Sequence, residues 1–156
     1  MPIKLFQKQN WRHIMLIGIP KILSPELLKI LCEMGHGDEI VLADANFPAA
    51  SNAKNLVRAD GINIPDMLSA ILSVMPLDQY DENHFVLMEK CEGDPADTSV
   101  WNEYQKELDK VSPETEMSFA ERFEFYERAK EAYAIVACGE GRQYANIILK
   151  KGCIIE

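Results

Sequence analysis

The residues best suited to chemistry fall in three places, each beside a run of apolar residues. The first is His36, which lies between Gly35 and Gly37 in the segment MGHGDE. Histidine exchanges a proton near neutral pH, so this position suits general acid or base catalysis. The local sequence alone favours a simpler role, in which the imidazole lies in an exposed turn or caps a helix. His13, near the amino terminus, and His84, in a polar loop, are weaker candidates.

The second place is the segment Asp44-Ala45-Asn46-Phe47-Pro48, which directly follows the apolar run EIVLA. A carboxylate at the carboxyl end of a parallel strand is well placed to bind a ligand. An Asp that caps a turn is about as common after a strand. Further on, Arg58 and Asp60 are explained as a local ion pair that contributes little to stability.

The third place is the C-terminal part, where Arg122 and Tyr126 are four residues apart on a predicted helix and therefore share one face. Tyr144 and Asn146 occupy a predicted turn between two strands. Tyr and Asn both donate and accept hydrogen bonds, and Tyr adds an apolar face, so the set suits a neutral polyhydroxylated ligand. Core packing, a solvated surface and a satisfied turn also explain these residues when they are taken alone.

Several function classes are disfavoured by composition. The net charge of −9 over 156 residues repels phosphate backbones, so we expect no nucleic-acid partner. No apolar run approaches the ~20 residues that span a bilayer, so we expect no membrane partner either. No P-loop, Rossmann fingerprint, GxSxG or HExxH motif occurs. The four cysteines form no CxxC pair, which favours free thiols in a reducing cytoplasm over disulfides or a zinc site: Cys32, Cys91, Cys138 and Cys153.

The apolar pattern predicts helices that alternate with strands. Helices are predicted at 24–35 with Ser24 as N-cap, after Pro65, at 100–111 and from Ser118, where SFAE matches a capping box. Strands are predicted at EIVLADA, FVLME, YAIVACG and NIILKKG. This alternation predicts an α/β fold with a largely parallel sheet. Residues 1–14 carry three basic residues and no acid, and we expect an amino-terminal appendage there and a single domain at 15–156.

Taken together, the segments resemble the ribose pyranase and fucose mutarotase family from Met15 to about Gly152. The similarity is carried, in order and at family spacing, by LSPELLKILCEMGHGDEIVLADANFPA, VRADG, FAERFEFYERAKEAYAIVACGE and YANIILKKG. RADG and FYERA favour the fucose branch. The resemblance implies a three-layer α/β/α single domain with a mainly parallel sheet. It also implies an isomerase without cofactor or metal, assembled as a decamer of stacked pentamers with sites near subunit boundaries.

The implied reaction interconverts the α and β anomers of a free monosaccharide such as L-fucose. The ring opens as its oxygen gains a proton and the anomeric hydroxyl loses one, and it then closes on the other face. By resemblance, His36 matches the family's proton donor, so it would protonate the ring oxygen. The matching substrate-binding residues, which we expect to share one cavity with His36, are Asp44, Arg122, Tyr126, Tyr144 and Asn146. Asn46 stands where some fucose-branch members have histidine, and we assign it no catalytic role.

Other functions remain open at this stage. A ribose-type pyranase would use the same residues on a different sugar. A monosaccharide-binding or sensory protein would bind the sugar without speeding anomer exchange. A metal-dependent hydrolase that uses His36, Asp38 and Asp44 has the weakest support.

Overall fold

The centre of the fold is one six-stranded sheet, seen in a computed structural model that describes residues 16–156. In chain order the strands are β1 (Glu39–Ala43), β2 (Leu56–Ala59), β3 (Phe85–Met88), β4 (Ser118–Ala120), β5 (Ala134–Cys138) and β6 (Ile147–Lys150). Their order across the sheet is β2-β5-β1-β6-β3-β4. Strand β6 runs antiparallel to β1 and β3, and the other strands share one direction. The predicted mainly parallel sheet is confirmed.

Helices cover both faces of this sheet. They are α1 (Pro25–Glu33), α2 (Ala49–Asn52), α3 (Ile64–Leu72), α4 (Val100–Val111) and α5 (Arg122–Glu131). Alternate residues of a strand point to opposite faces, so Ile40 and Leu42 of β1 pack with α1, α3 and α4, whereas Val41 and Ala43 pack with α2 and α5. Strands buried on both faces explain the unbroken apolar runs in the sequence. The three-layer α/β/α architecture is therefore confirmed.

Two sequence signals fixed helix positions correctly. The Ser24 side chain accepts a hydrogen bond from the Leu27 N–H at 3.1 Å, as expected of the N-cap of α1. Helix α4 covers the residues predicted for it, Val100–Val111. The helix predicted after Pro65 begins slightly earlier, because Asn63 acts as its N-cap.

The capping box predicted at Ser118 is wrong. Ser118–Ala120 forms β4, which pairs in parallel with Val86–Met88, and α5 begins only at Arg122 with Glu121 as its N-cap. Pairing with β3 satisfies the backbone of this segment, and the Glu121 carboxylate accepts the N–H groups of the first helical turn. Phe119, which lies in β4 rather than in the predicted helix, packs against Trp101 with ring centroids 5.1 Å apart.

Within residues 16–156, no helix has both the length and the apolar character that a membrane crossing requires. The predicted appendage at 1–14 lies outside the described residues.

Candidate active site

A cavity of about 340 Å³ opens where β1 and β3 end and β6 begins. Its walls come from the segments after β1 and β3, the first turns of α5 and the turn before β6. This volume lies at the small end of the usual range for small-molecule sites, about 300–1,000 Å³, and suits one small polar molecule. Five of the six predicted site residues line it: Asp44, Arg122, Tyr126, Tyr144 and Asn146.

Asp44 and Asn146 meet because β1 and β6 are antiparallel neighbours. Asp44 directly follows β1, Asn146 directly precedes β6, and the Asp44 N–H donates to Asn146 Oδ1 at 2.7 Å. This bond occupies the amide oxygen and leaves the amide nitrogen of Asn146 as its donor for a ligand. Asp44 Oδ1 also accepts the Asn46 N–H at 2.9 Å, so the carboxylate is held in place by its own turn.

Burial alters the chemistry of Asp44. Its side chain is mostly buried, and removal from water raises the pKa of its carboxyl above the ordinary value. Hydrogen bonds from Asn46, Phe47 and Asn146 oppose that rise. A carboxylate with a raised pKa is a stronger hydrogen-bond acceptor and proton acceptor than a solvated one, which is typical of functional sites.

An aromatic wall with one cation forms another side of the cavity. The Phe47 ring stacks on Tyr126 with centroids 5.4 Å apart and planes 25° apart. The Arg122 guanidinium carbon lies 5.8 Å from the centroid of the Tyr126 ring, so the predicted shared helix face is confirmed. Such a wall offers an apolar platform for the C–H groups of a sugar and donors for its hydroxyls.

Tyr144 is held in an unfavourable backbone conformation. Its φ of 54° lies in the left-handed region, which costs on the order of 1–3 kcal/mol for a residue with a side chain. The Trp101 indole N–H donates to the Tyr144 carbonyl at 2.8 Å, and the Tyr144 hydroxyl donates to Asp94 Oδ2 at 2.6 Å. The Cys91 N–H donates to the same hydroxyl at 3.2 Å. These contacts compensate the strain and aim the ring into the cavity wall.

His36 does not join this cavity within a single chain. It precedes the amino end of β1, whereas Asp44 follows the carboxyl end, and the strand between them is roughly 17 Å long at ~3.3 Å per residue. The expected cavity shared by His36, Asp44 and Asn146 therefore does not form in one chain. The same separation divides the His36, Asp38 and Asp44 set of the hydrolase hypothesis. Among residues 16–156, no group of three His, Cys, Asp or Glu side chains is arranged to hold a metal ion.

His36 instead pairs with a carboxylate that the sequence did not single out. His36 Nε2 lies 3.0 Å from Asp78 Oδ1, and the centroid of the Tyr80 ring lies 5.5 Å from that of the imidazole. The Asp78 side chain is 5% exposed, whereas that of His36 is 45% exposed. A hydrogen bond from the Tyr80 N–H and the contact with His36 hold the pKa of Asp78 below its usual value. A buried carboxylate that orients a half-exposed imidazole suits proton transfer at the free ring nitrogen.

Asp78 escaped detection because its contact with His36 is long-range. It lies in an irregular polar segment, 42 residues from His36, with no local motif. The segments that carry Asp78 and His36 both bind the backbone at the carboxyl end of β6. The Asp78 N–H donates to the Lys150 carbonyl, and the Gly37 N–H donates to the carbonyl of Lys151, the residue after the strand. Two clefts of about 640 and 690 Å³ open at this end, and Tyr80 lines the first and Asp78 the second.

Comparison with known proteins places this geometry in a family. Residues 17–154 match the RbsD / FucU transport protein family. The fucose mutarotase of Mus musculus is 49% identical over 147 residues, which cover 90% of this chain and 96% of the relative. A crystal structure of the Streptococcus pneumoniae fucose mutarotase in complex with L-fucose superposes with a TM-score of 0.85 at 51% identity, covering 90% of this chain and 100% of the other. Bacillus subtilis RbsD complexed with D-ribose gives a TM-score of 0.66 at 25% identity, covering 85% and 95%.

Proposed function

The chain belongs to the RbsD / FucU family, and on that premise we propose that it interconverts the α and β anomers of free L-fucose. The observation that carries the proposal is the cavity beside β1 and β6, which is lined by the polar side chains of Asp44, Asn146 and Arg122 and by an aromatic wall. Fucose is favoured over ribose because the relatives named for fucose are about twice as identical to this chain as the protein complexed with D-ribose.

The cavity supplies the contacts that ring opening needs. Asp44 accepts hydrogen bonds from sugar hydroxyls, and Asn146 and Arg122 donate to sugar oxygens. Tyr126 offers its ring to the apolar face of the pyranose. As the bond between C1 and the ring oxygen breaks, the ring oxygen gains a proton and the anomeric hydroxyl loses one. No atom is oxidised or reduced, so the reaction needs no redox partner. Held in this way, the open aldehyde rotates about C1–C2 and closes on either face.

The proton donor in this proposal is His36 of a neighbouring subunit, oriented by Asp78. A homo-oligomer, for which we propose the decamer of stacked pentamers, would place this pair at the mouth of the cavity of the next chain. Exposed aromatic residues at both ends support a contact there: the Tyr80 side chain beside His36 is 73% exposed, and Phe123 beside Arg122 is 70% exposed. We also propose a cytoplasmic location, which the exposed free thiols of Cys32 and Cys91 support.

The test is anomer exchange measured by NMR magnetisation transfer on L-fucose. The His36→Ala variant should slow exchange by about 10²–10⁴-fold, the usual contribution of a positioned acid or base, while fucose affinity changes little. The matched control is His13→Ala, since His13 lies outside the matched residues 17–154. Undiminished exchange in His36→Ala at full sugar occupancy would contradict the assigned role.

One observation favours a second candidate function. Because His36 and the cavity lie at opposite ends of β1, a sugar in the cavity of a single chain would have no histidine beside it. A monosaccharide-binding protein without catalysis would need nothing more. It would bind L-fucose in a titration yet leave the exchange rate at the value of the buffer, whereas a ribose-type pyranase would act faster on D-ribose in the same assay.

A further inference from the structure

The geometry points to Asp94 as the residue that fixes the hydrogen-bond direction of Tyr144, so that the Tyr144 oxygen accepts from the sugar rather than donating to it. This inference rests on the proposed function and adds a specificity-determining residue to it. Asp94 lies in the segment between β3 and α4 and, like Tyr144, lines the cavity.

The phenol of Tyr144 has a single proton, and that proton is committed. The hydroxyl donates to Asp94 Oδ2 at 2.6 Å, a short distance typical of a charge-assisted bond. The same oxygen accepts the Cys91 N–H at 3.2 Å. One lone pair remains, so the only polar role left to Tyr144 in the cavity is to accept a hydrogen bond.

Asp94 is itself anchored, which makes the direction of the bond permanent. Its Oδ1 accepts the Ala96 N–H at 2.9 Å, a turn that leaves Oδ2 for Tyr144. On the other side, the indole of Trp101 holds the Tyr144 carbonyl and keeps the left-handed backbone in place. The pKa values agree with this arrangement: the bond to Asp94 raises the pKa of Tyr144 to about 12, and the same bond lowers the pKa of Asp94.

The consequence is a defined order of donors and acceptors around the sugar. Tyr144 and Asp44 accept, whereas Arg122 and the Asn146 amide nitrogen donate. A sugar position that faces Tyr144 must therefore carry a free hydroxyl. Replacing that hydroxyl by hydrogen or by fluorine loses the bond equally, because neither substituent can donate.

The first experiment needs no sugar. Carbon-13 NMR of labelled tyrosines, with Tyr144→Phe for assignment, follows the phenol through a pH titration in the wild-type protein and in Asp94→Asn. The asparagine can still accept from Ala96, so the loop is retained, but the pKa of Tyr144 should fall towards that of an ordinary tyrosine. Asp97→Asn is the matched control, since Asp97 caps Ser99 in the same loop and does not line the cavity. An unchanged Tyr144 titration in Asp94→Asn would overturn the inference.

The second experiment measures the affinity of L-fucose analogues whose C2, C3 or C4 hydroxyl is replaced, one at a time, by hydrogen or by fluorine. At one position, the wild-type protein should bind both analogues about tenfold more weakly than fucose and nearly equally. In Asp94→Asn, the freed phenol proton should make the fluoro analogue at that position the better ligand by several-fold. If Asp94→Asn changes this ratio at none of the three positions, the inference fails while fucose binding stands. If the wild-type protein binds no fucose, the proposed function fails.

Discussion

At the scale of the residue, Asp44 is where the proposed binding role conflicts with stability. Burial raises the pKa of its carboxyl in the folded state. At a pH between the pKa of the unfolded chain and that of the folded protein, the folded protein therefore binds more protons than the unfolded chain. Stability therefore falls as the pH rises through that window. A carboxylate retained at such a cost to stability is typical of a site where charge serves binding.

Asp44→Asn should accordingly stabilise the fold at pH 7 by about 1 kcal/mol, because asparagine keeps the acceptor for the Asn46 N–H without a buried charge. The gain should shrink as the pH falls through the raised folded-state pKa of Asp44 towards about 4, the ordinary pKa of aspartate, because the buried carboxyl of the wild-type protein is then already neutral. Urea denaturation between pH 4 and 7 measures this, and fucose affinity should drop in the same variant. The control is the exposed Asp60→Asn, where the Arg58 partner lowers the pKa and no gain is expected. If Asp44→Asn destabilised the fold equally at pH 4 and at pH 7, the prediction would be contradicted.

At the scale of the element, short sequence patterns correctly predicted the features that depend on residues close together in the chain. The N-cap at Ser24 and the helix at 100–111 each depend on residues close together in the chain, and both were identified from the sequence. Strands β2 and β4 were not identified because neither is an unbroken apolar run: β2 contains Arg58, and β4 has only three residues. The SFAE motif at Ser118 shows another limit, because a short-range capping pattern yields to a long-range ladder.

The loop that carries His36 is fixed by one element, the end of β6 and the residue after it. The Lys151 ammonium donates to the carbonyls of Leu31 at 2.7 Å and Met34 at 2.6 Å, at the carboxyl end of α1. The backbone of Lys151 exchanges hydrogen bonds with Gly37 and Asp38 on the other side of His36. A cation at a helix carboxyl terminus also complements the helix dipole. Lys151 therefore holds the loop at both of its ends.

Lys151→Met should cost about 1–2 kcal/mol of stability, since two charge-assisted hydrogen bonds are lost while the apolar stem is kept. If His36 is the proton donor, the maximal exchange rate should fall several-fold while the fucose concentration at half-maximal rate stays unchanged. Exchange spectroscopy over a range of fucose concentrations separates these two quantities. Lys106→Met, an exposed position on α4, is the matched control and should alter neither. A loss of affinity in Lys151→Met with an intact maximal rate would contradict this role.

At the scale of the whole molecule, the sequence predicted five residues that line one cavity but not their separation from His36. The pairing of β1 with β6 brings Asp44 to Asn146, and this antiparallel register is not visible in a sequence. The separation of His36 was open to inference, because the predicted strand EIVLA lies between His36 and Asp44. The two ends of a strand lie at opposite ends of the sheet. A site that needs both His36 and Asp44 must therefore draw them from two chains.

That requirement predicts complementation between inactive subunits. His36→Ala and Asp44→Asn chains, co-expressed with different tags and purified through both, should regain about a quarter of the wild-type exchange rate. In random mixtures that fraction of shared sites receives an intact His36 from one chain and an intact cavity from the next. Asp44→Asn mixed with Asn146→Ala is the control: both changes damage the same cavity, so no activity should return. Failure of the first mixture to exceed the sum of its parents would place the whole reaction within one chain and exclude His36 as its proton donor.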